Sequence, residues 1–159
     1  MSPVAIGGIL RNDRLALLSV LAVPDRPGVA ARIFEALGQE GISAYFAIQC
    51  IDHEGRDHVA FCVLRETLEQ ASRVAHESCG RLGGCKVTIH PQVASIAIYG
   101  PDFRERPGIA APMFAALAAA GINILAISTS ISTISCIVDL ERANDAERIL
   151  RSTFVLPEW

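Results

Sequence analysis

The hydrophobic positions of the chain predict two similar series of strands and helices. Apolar runs at residues 15–23 and 93–99 are rich in β-branched and aliphatic side chains, as in buried strands. Downstream of each run, apolar residues recur at three- and four-residue spacing, from Ala30 to Leu37 and from Ala110 to Leu117. This spacing predicts a helix with one buried face in each half, and we expect Pro27 and Pro107 in the first turns of these helices.

The remaining predicted elements follow the same order in both halves. We predict hairpin strands at residues 43–51 and 56–64 and again at 123–130 and 133–140, and second helices at 66–81 and 141–152. A strand that places Cys85, Val87 and Ile89 on one face closes the first series, and residues 154–156 close the second. Each half therefore has the order β-α-β-β-α-β. The apolar segment 4–10 is left over, and we expect it to join the second sheet as a strand.

An internal repeat supports this division. The segment Arg26–Ala31, RPGVAA, recurs 80 residues later as RPGIAA, and ten of the 18 positions from Arg26 to Ser43 are identical to their mates. Farther along, the offset falls to 74, which aligns Cys62 with Cys136 and shortens the second hairpin. The repeat therefore predicts two homologous α+β modules.

Composition and charge narrow the class of protein. The 159 residues are 51% hydrophobic and carry a net charge of −3 without clusters of basic residues, so we expect a globular protein that does not bind nucleic acid. Residues 108–138 carry no charge, but Pro112, Gly121 and Asn123 interrupt them, which favours a buried core over a membrane span. Five irregularly spaced cysteines and an N-terminus unlike a secretory signal predict a cytoplasmic protein.

Several segments together resemble tandem ACT domains, and more narrowly the regulatory region of aspartate kinase. The resemblance is carried by residues 23–34, by Ile48 and Gln49, and by residues 121–124, 127–130 and 134–136. It implies two ferredoxin-like βαββαβ ACT modules, the first (residues 14–91) inserted into the second (residues 1–13 and 92–159). It also implies a non-catalytic regulatory protein that forms homodimers and has an aspartate kinase catalytic subunit as a partner. Such a protein senses threonine, lysine or both in feedback control of aspartate-family amino acid biosynthesis, and it needs no cofactor or metal.

The first strand-to-helix junction has the chemistry to bind a free amino acid. Backbone amides at the start of a helix favour an anion such as a carboxylate, and Gly28 leaves room for a close approach. Asp25, just before the helix, can face an ammonium group. The Gln49 side chain, on the adjacent strand, can donate a hydrogen bond to a small polar side chain or accept one from it.

The resemblance adds a second wall to this effector site, from the first hairpin strand of the second module. The predicted effector-binding residues are Asp25, Pro27, Gly28, Val29, Ala30, Gln49, Asn123 and Ile124, with Ser128, Thr129 and Ser130 as further candidates. Two departures from the family pattern concern the second module. Uncharged residues follow Ser130, and the second junction has Glu105 rather than aspartate before its Arg-Pro-Gly.

Other interpretations of the same residues remain open. Asp25 can simply cap the helix, and the three hydroxyl residues can be ordinary edge-strand positions. The chain can also be a free-standing amino-acid sensor that controls another enzyme or a transcription regulator. An enzyme that uses cysteine or histidine is a third class. A zinc site is disfavoured because its potential ligands have poor spacing: His76, Cys79, Cys85 and His90.

Overall fold

A computed structural model describes residues 3–101 and 103–158 of the chain. The chain divides into two compact units. The inserted unit runs from Arg14 to Gln92, and the outer unit comprises the described residues up to Asp13 and those from Val93 onward. The module boundaries predicted from the sequence also include Met1, Ser2, Asp102 and Trp159, which lie outside the described residues.

The strands and helices follow each other in the same order in both units. The strands are β1 (Val4–Ala5), β2 (Gly8–Pro24), β3 (Phe46–Ile51), β4 (Arg56–Leu64), β5 (Lys86–Tyr99), β6 (Ala126–Thr129), β7 (Thr133–Asp139) and β8 (Phe154–Val155). The helices are α1 (Val29–Gln39), α2 (Leu68–Arg81), α3 (Ala110–Ala119) and α4 (Ala143–Thr153). Short 3₁₀ turns, Arg65–Thr67 and Leu140–Arg142, precede α2 and α4. The fold consists of two α+β modules of the βαββαβ type, the first inserted into the second.

The inserted unit packs two helices on one face of an antiparallel sheet. Strand β4 pairs with β2 on one side and with β3 on the other. Ile33 and Leu37, one helical turn apart on α1, are fully buried against Phe61 of β4, whose ring meets Phe34 edge to face at 5.7 Å. Each such side chain contributes roughly 1.5–3 kcal/mol of stabilisation on burial. The apolar spacing seen in the sequence is therefore the core face of the helix.

The outer unit follows the same plan with a shorter hairpin. Strand β7 pairs with β5 and β6 in antiparallel fashion, and β1 pairs in parallel with β8. Met113 and Leu117 of α3 and Leu150 of α4 are fully buried against Ile96 and Ile98 of β5. The uncharged residues 108–138 thus contribute side chains to the hydrophobic core of the outer unit. Across the part of the chain that the structure describes, every helix is too short or too polar to cross a membrane.

Several predicted element boundaries were wrong. Pro27 and Pro107 lie in turns before α1 and α3, not in their first helical turns, because Gly28 and Gly108 adopt positive φ angles that no helix residue has. The strands predicted at 85–89 and 93–99 are one continuous strand, β5, which runs through Pro91. The segment 4–10 is divided, since β1 pairs with β8 and residues 8–10 begin β2.

The cysteines form one bond that their spacing does not predict. Cys79 at the end of α2 and Cys85 just before β5 are joined by a disulfide, with their Cα atoms 5.3 Å apart. These two residues were the thiols of the disfavoured zinc site. Cys50 is exposed, whereas burial raises the pKa of the Cys62 and Cys136 thiols to about 12. Both buried thiols therefore behave as small apolar side chains.

Candidate functional site

The first junction of the inserted unit is an exposed turn that leads directly into α1. Strand β2 ends at Pro24, Asp25 and Pro27 are exposed, and Gly28 precedes the helix with φ of 98°. A Cβ atom at Gly28 would meet nothing within 4 Å. Glycine is therefore required here by the left-handed backbone and not by a crowded neighbour.

The N-terminus of α1 has no side-chain cap. Asp25 does not accept a hydrogen bond from the first turn, so the interpretation of Asp25 as a helix cap is wrong. The Gly28 carbonyl accepts from the Arg32 amide at 3.0 Å, whereas the amides of the first turn have no partner inside the helix. The Val29 side chain is buried in the core, so Val29 can offer a ligand only its amide, and Ala30 is half-buried. The helix dipole adds about 0.3–1 kcal/mol for an anion at this end.

Gln49 projects from β3 at the same end of the sheet as this junction. Asp57 of β4 lies opposite Ile51 of β3 and opposite Val23 of β2, two residues before Asp25. The exposed Gln49 donates a hydrogen bond through Nε2 to Asp57 Oδ2 at 2.6 Å. The strand pairing thus brings an amide and a carboxylate to the strand end from which the junction departs.

Sequence reasoning missed Asp57. Its side chain is buried, with 1% of its surface exposed, and its Oδ1 atom has no hydrogen-bond partner among the described residues. An aspartate next to a hairpin turn is usually solvated, so its place in the sequence gives no sign of burial. The only sign of burial in the sequence is the alternation of side chains along the strand. Asp57 lies on the same face of β4 as the buried residues Val59 and Phe61.

A bulge shapes the end of β2 just before the junction. The β2–β4 pairing shifts register between Val20 and Val23, and Ala22 within the bulge has φ of 60°. The Ala22 amide donates to His58 Nδ1 at 3.2 Å, so the other ring nitrogen carries the proton and donates to Asp52 Oδ2 at 2.9 Å. The hydrogen bonds from His58 and from the Arg56 amide hold the pKa of Asp52 well below its usual range. These hydrogen bonds thus hold the end of β2 against the hairpin, and Asp25 follows directly after β2.

The second junction repeats the backbone geometry with different side chains. Gly108 has φ of 86°, and the N-terminus of α3 also has no side-chain cap. Glu105, the counterpart of Asp25, is exposed. An apolar groove beside this junction is lined in part by Pro107, Ala111 and Ala115. The second junction is thus less polar than the first.

The remaining predicted site residues all lie in the outer unit. Asn123 is exposed and Ile124 packs against the core, but both precede β6, so their predicted place within this strand was wrong. Ser128 and Thr129 lie in β6. Ser130 lies in the following turn, where its Oγ accepts from the Ser132 amide at 3.4 Å. The structure therefore brings together the first-junction residues within the inserted unit, and it places the other five in the outer unit.

Comparisons with known proteins agree with this architecture. A family model of the ACT domain matches residues 96–154. Aspartokinase of Thermus thermophilus is 32% identical over 154 residues, which are 96% of this chain and 38% of the relative. Aspartokinase of Helicobacter pylori is 29% identical over 158 residues, also 38% of its length. The chain thus spans less than half the length of these curated relatives.

Two solved structures match over nearly their whole length. The ligand-free regulatory subunit of aspartate kinase from Thermus thermophilus has 30% identity and a TM-score of 0.85, with 95% of this chain and 99% of that chain covered. A chain of a structure of aspartokinase alpha and beta subunits has 31% identity and a TM-score of 0.85, with 94% and 98% covered. The fold is that of an ACT-domain regulatory region. The chain belongs to the family of aspartate kinase regulatory subunits, and its 159 residues form an ACT regulatory region.

Proposed function

We propose that this region binds a free amino acid, threonine or lysine, and transmits its occupancy to an aspartate kinase catalytic subunit. The observation that carries the proposal is the uncapped N-terminus of α1, with Asp25 exposed before it and Gln49 at the same end of the sheet. Similarity to aspartate kinase regulatory subunits over nearly their whole length supports the choice of partner.

The junction complements each group of an amino acid. The α-carboxylate accepts hydrogen bonds from the free amides at the start of α1, where the positive end of the helix dipole favours it. The α-ammonium group pairs with the Asp25 carboxylate, which is exposed and therefore accessible. Gln49 contacts the ligand side chain. Binding at this junction would lower the activity of the catalytic subunit, and the active arrangement would by reciprocity weaken effector binding.

We further propose that the region works as a homodimer in the cytoplasm. Asn123 and Ile124, with the hydroxyl residues 128–130, are proposed as the second wall of an effector site. A ligand held by modules of two chains stabilises only the assembled state, so effector binding and dimerisation are coupled.

A thermal melt with each of the twenty amino acids tests the proposal. A ligand at about 100 times its dissociation constant adds about 2.7 kcal/mol, which raises the melting temperature of a chain this size by roughly 5–10 °C. We expect threonine or lysine to produce this rise, D25A to abolish it, and E35A, which removes an exposed carboxylate from α1, to leave it unchanged. A flat panel for the wild-type chain, alone and with an aspartate kinase catalytic subunit, would refute amino-acid sensing.

A further inference from the structure

Asp57 is a buried carboxylate for which the fold alone gives no reason. It is 1% exposed, and among the described residues no cation lies within salt-bridge distance of it. Oδ2 accepts the hydrogen bond from Gln49 at 2.6 Å, while Oδ1 has no partner in the described part of the chain. Burying a carboxyl group with a single hydrogen bond is unfavourable for folding, so the presence of Asp57 here points to another role.

The chemistry of Asp57 determines the orientation of the Gln49 amide. Nε2 of Gln49 lies 2.6 Å from Asp57 Oδ2, so the NH₂ group of Gln49 faces Asp57 and donates to it. The two ends of a glutamine amide are normally hard to distinguish, but here the partner decides between them. One N–H of Nε2 donates to Asp57, which fixes the amide so that its other end, the carbonyl Oε1, is the acceptor that the exposed Gln49 side chain offers to a ligand.

We propose that Asp57 is a positioning residue that makes Gln49 a hydrogen-bond acceptor and so selects amino acids whose side chain carries a donor, a hydroxyl or an ammonium group. The inference rests on the proposed function of the junction. Asp57 is too deeply buried to touch the ligand and acts through Gln49. The repeat lacks this pair, because the strand pairing gives Thr129 and Ser132 as the counterparts of Gln49 and Asp57 in the outer unit. The selection therefore belongs to the inserted unit alone.

Titration calorimetry with matched ligand pairs tests the proposal. Threonine is compared with valine, in which a methyl group replaces the hydroxyl, and lysine is compared with norleucine, which lacks the ammonium group. For the wild-type chain we expect the ligand with the donor to bind about three- to tenfold more tightly than its partner, as for one added hydrogen bond. Whichever pair shows this ratio identifies the donor.

Variants then show whether Asp57 acts through Gln49. D57A and D57L, which remove the acceptor for the Gln49 amide, should lower the ratio towards one without changing the affinity for the apolar partner, whereas a merely structural role would weaken both ligands alike. Q49A should lower the ratio equally, and Q49A combined with D57L should lower it no further. Gln49 is exposed, so Q49A keeps the test valid even where D57A fails to fold. E35Q, which neutralises an exposed carboxylate elsewhere on the unit, serves as the control.

The possible failures are distinguishable. If the wild-type chain binds none of the four amino acids, the proposed function is wrong and the role of Asp57 falls with it. If the chain binds threonine or lysine but D57L and Q49A keep the wild-type ratio, only the role of Asp57 is refuted. A wild-type chain that binds both members of each pair equally would also refute selection by an acceptor.

Discussion

Replacing Gly28 by alanine isolates the effect of the left-handed backbone at the first junction. The φ angle of 98° disfavours any L-amino acid with a Cβ atom, by roughly 1–2 kcal/mol. No steric clash adds to this value, because nothing lies within 4 Å of the Cβ position. Reduced freedom of the unfolded chain offsets about 0.4–1 kcal/mol of it. We therefore expect G28A to lower the free energy of unfolding by about 1 kcal/mol.

Gly38 provides the matched control within α1. A Cβ atom there also meets nothing within 4 Å, but Gly38 lies inside the helix with an ordinary φ angle. Alanine at this position should raise the free energy of unfolding by about 0.5–1 kcal/mol. Urea unfolding followed by circular dichroism measures both variants. The two substitutions are chemically identical, so opposite signs can come only from the backbone at each position.

The same pair of variants connects stability with binding. G28A must either retain the strained turn or shift the first amides of α1, and a shift moves the groups proposed to hold the ligand carboxylate. We expect G28A to weaken amino-acid binding and G38A to leave it unchanged. A G28A protein at least as stable as the wild-type chain would refute this account of the junction.

Two further predictions concern the thiols and the hairpin. A thiol reagent at pH 8 should modify Cys50 rapidly and leave Cys62 and Cys136 intact until the chain unfolds, since burial keeps both protonated; rapid labelling of either in C50S would contradict the buried core. Asp52 has a depressed pKa, so its contribution to stability is present above the pKa of an unfolded aspartate, about 4, and is lost as the pH falls below it. D52N, which keeps the shape but not the charge that His58 faces, should flatten the acid limb of the stability curve, measured as melting temperature against pH.

The sequence predicts the two-module fold because independent patterns agree. Apolar spacing in the segments around Ile33 and Met113 gives the same helices that the repeat requires, and the buried residues have that spacing. The strand boundary near Pro91 was wrong because proline is usually a break in a strand, whereas here the strand continues through it. The disulfide between Cys79 and Cys85 depends on the path of the chain between α2 and β5. A sequence separation of six residues does not indicate this path.

The candidate site was predicted unevenly for a physical reason. Asp25, Gly28 and Gln49 could be chosen because residue type and chain position suffice to indicate an amide-rich helix start with polar neighbours. Asp57 could not be chosen in this way, because its role depends on the register of β3 and β4, which brings it to Gln49. Pairing between strands, in contrast to helical spacing, is not local in sequence.

Calorimetric titration of threonine and of lysine into the wild-type chain and into D25A tests the central claim most directly. The proposed function predicts saturable binding of at least one of the two amino acids to the wild-type chain and none to D25A, whose fold should be intact because Asp25 is exposed and caps nothing. Binding that is equally tight in D25A would contradict the assignment of this junction as the effector site.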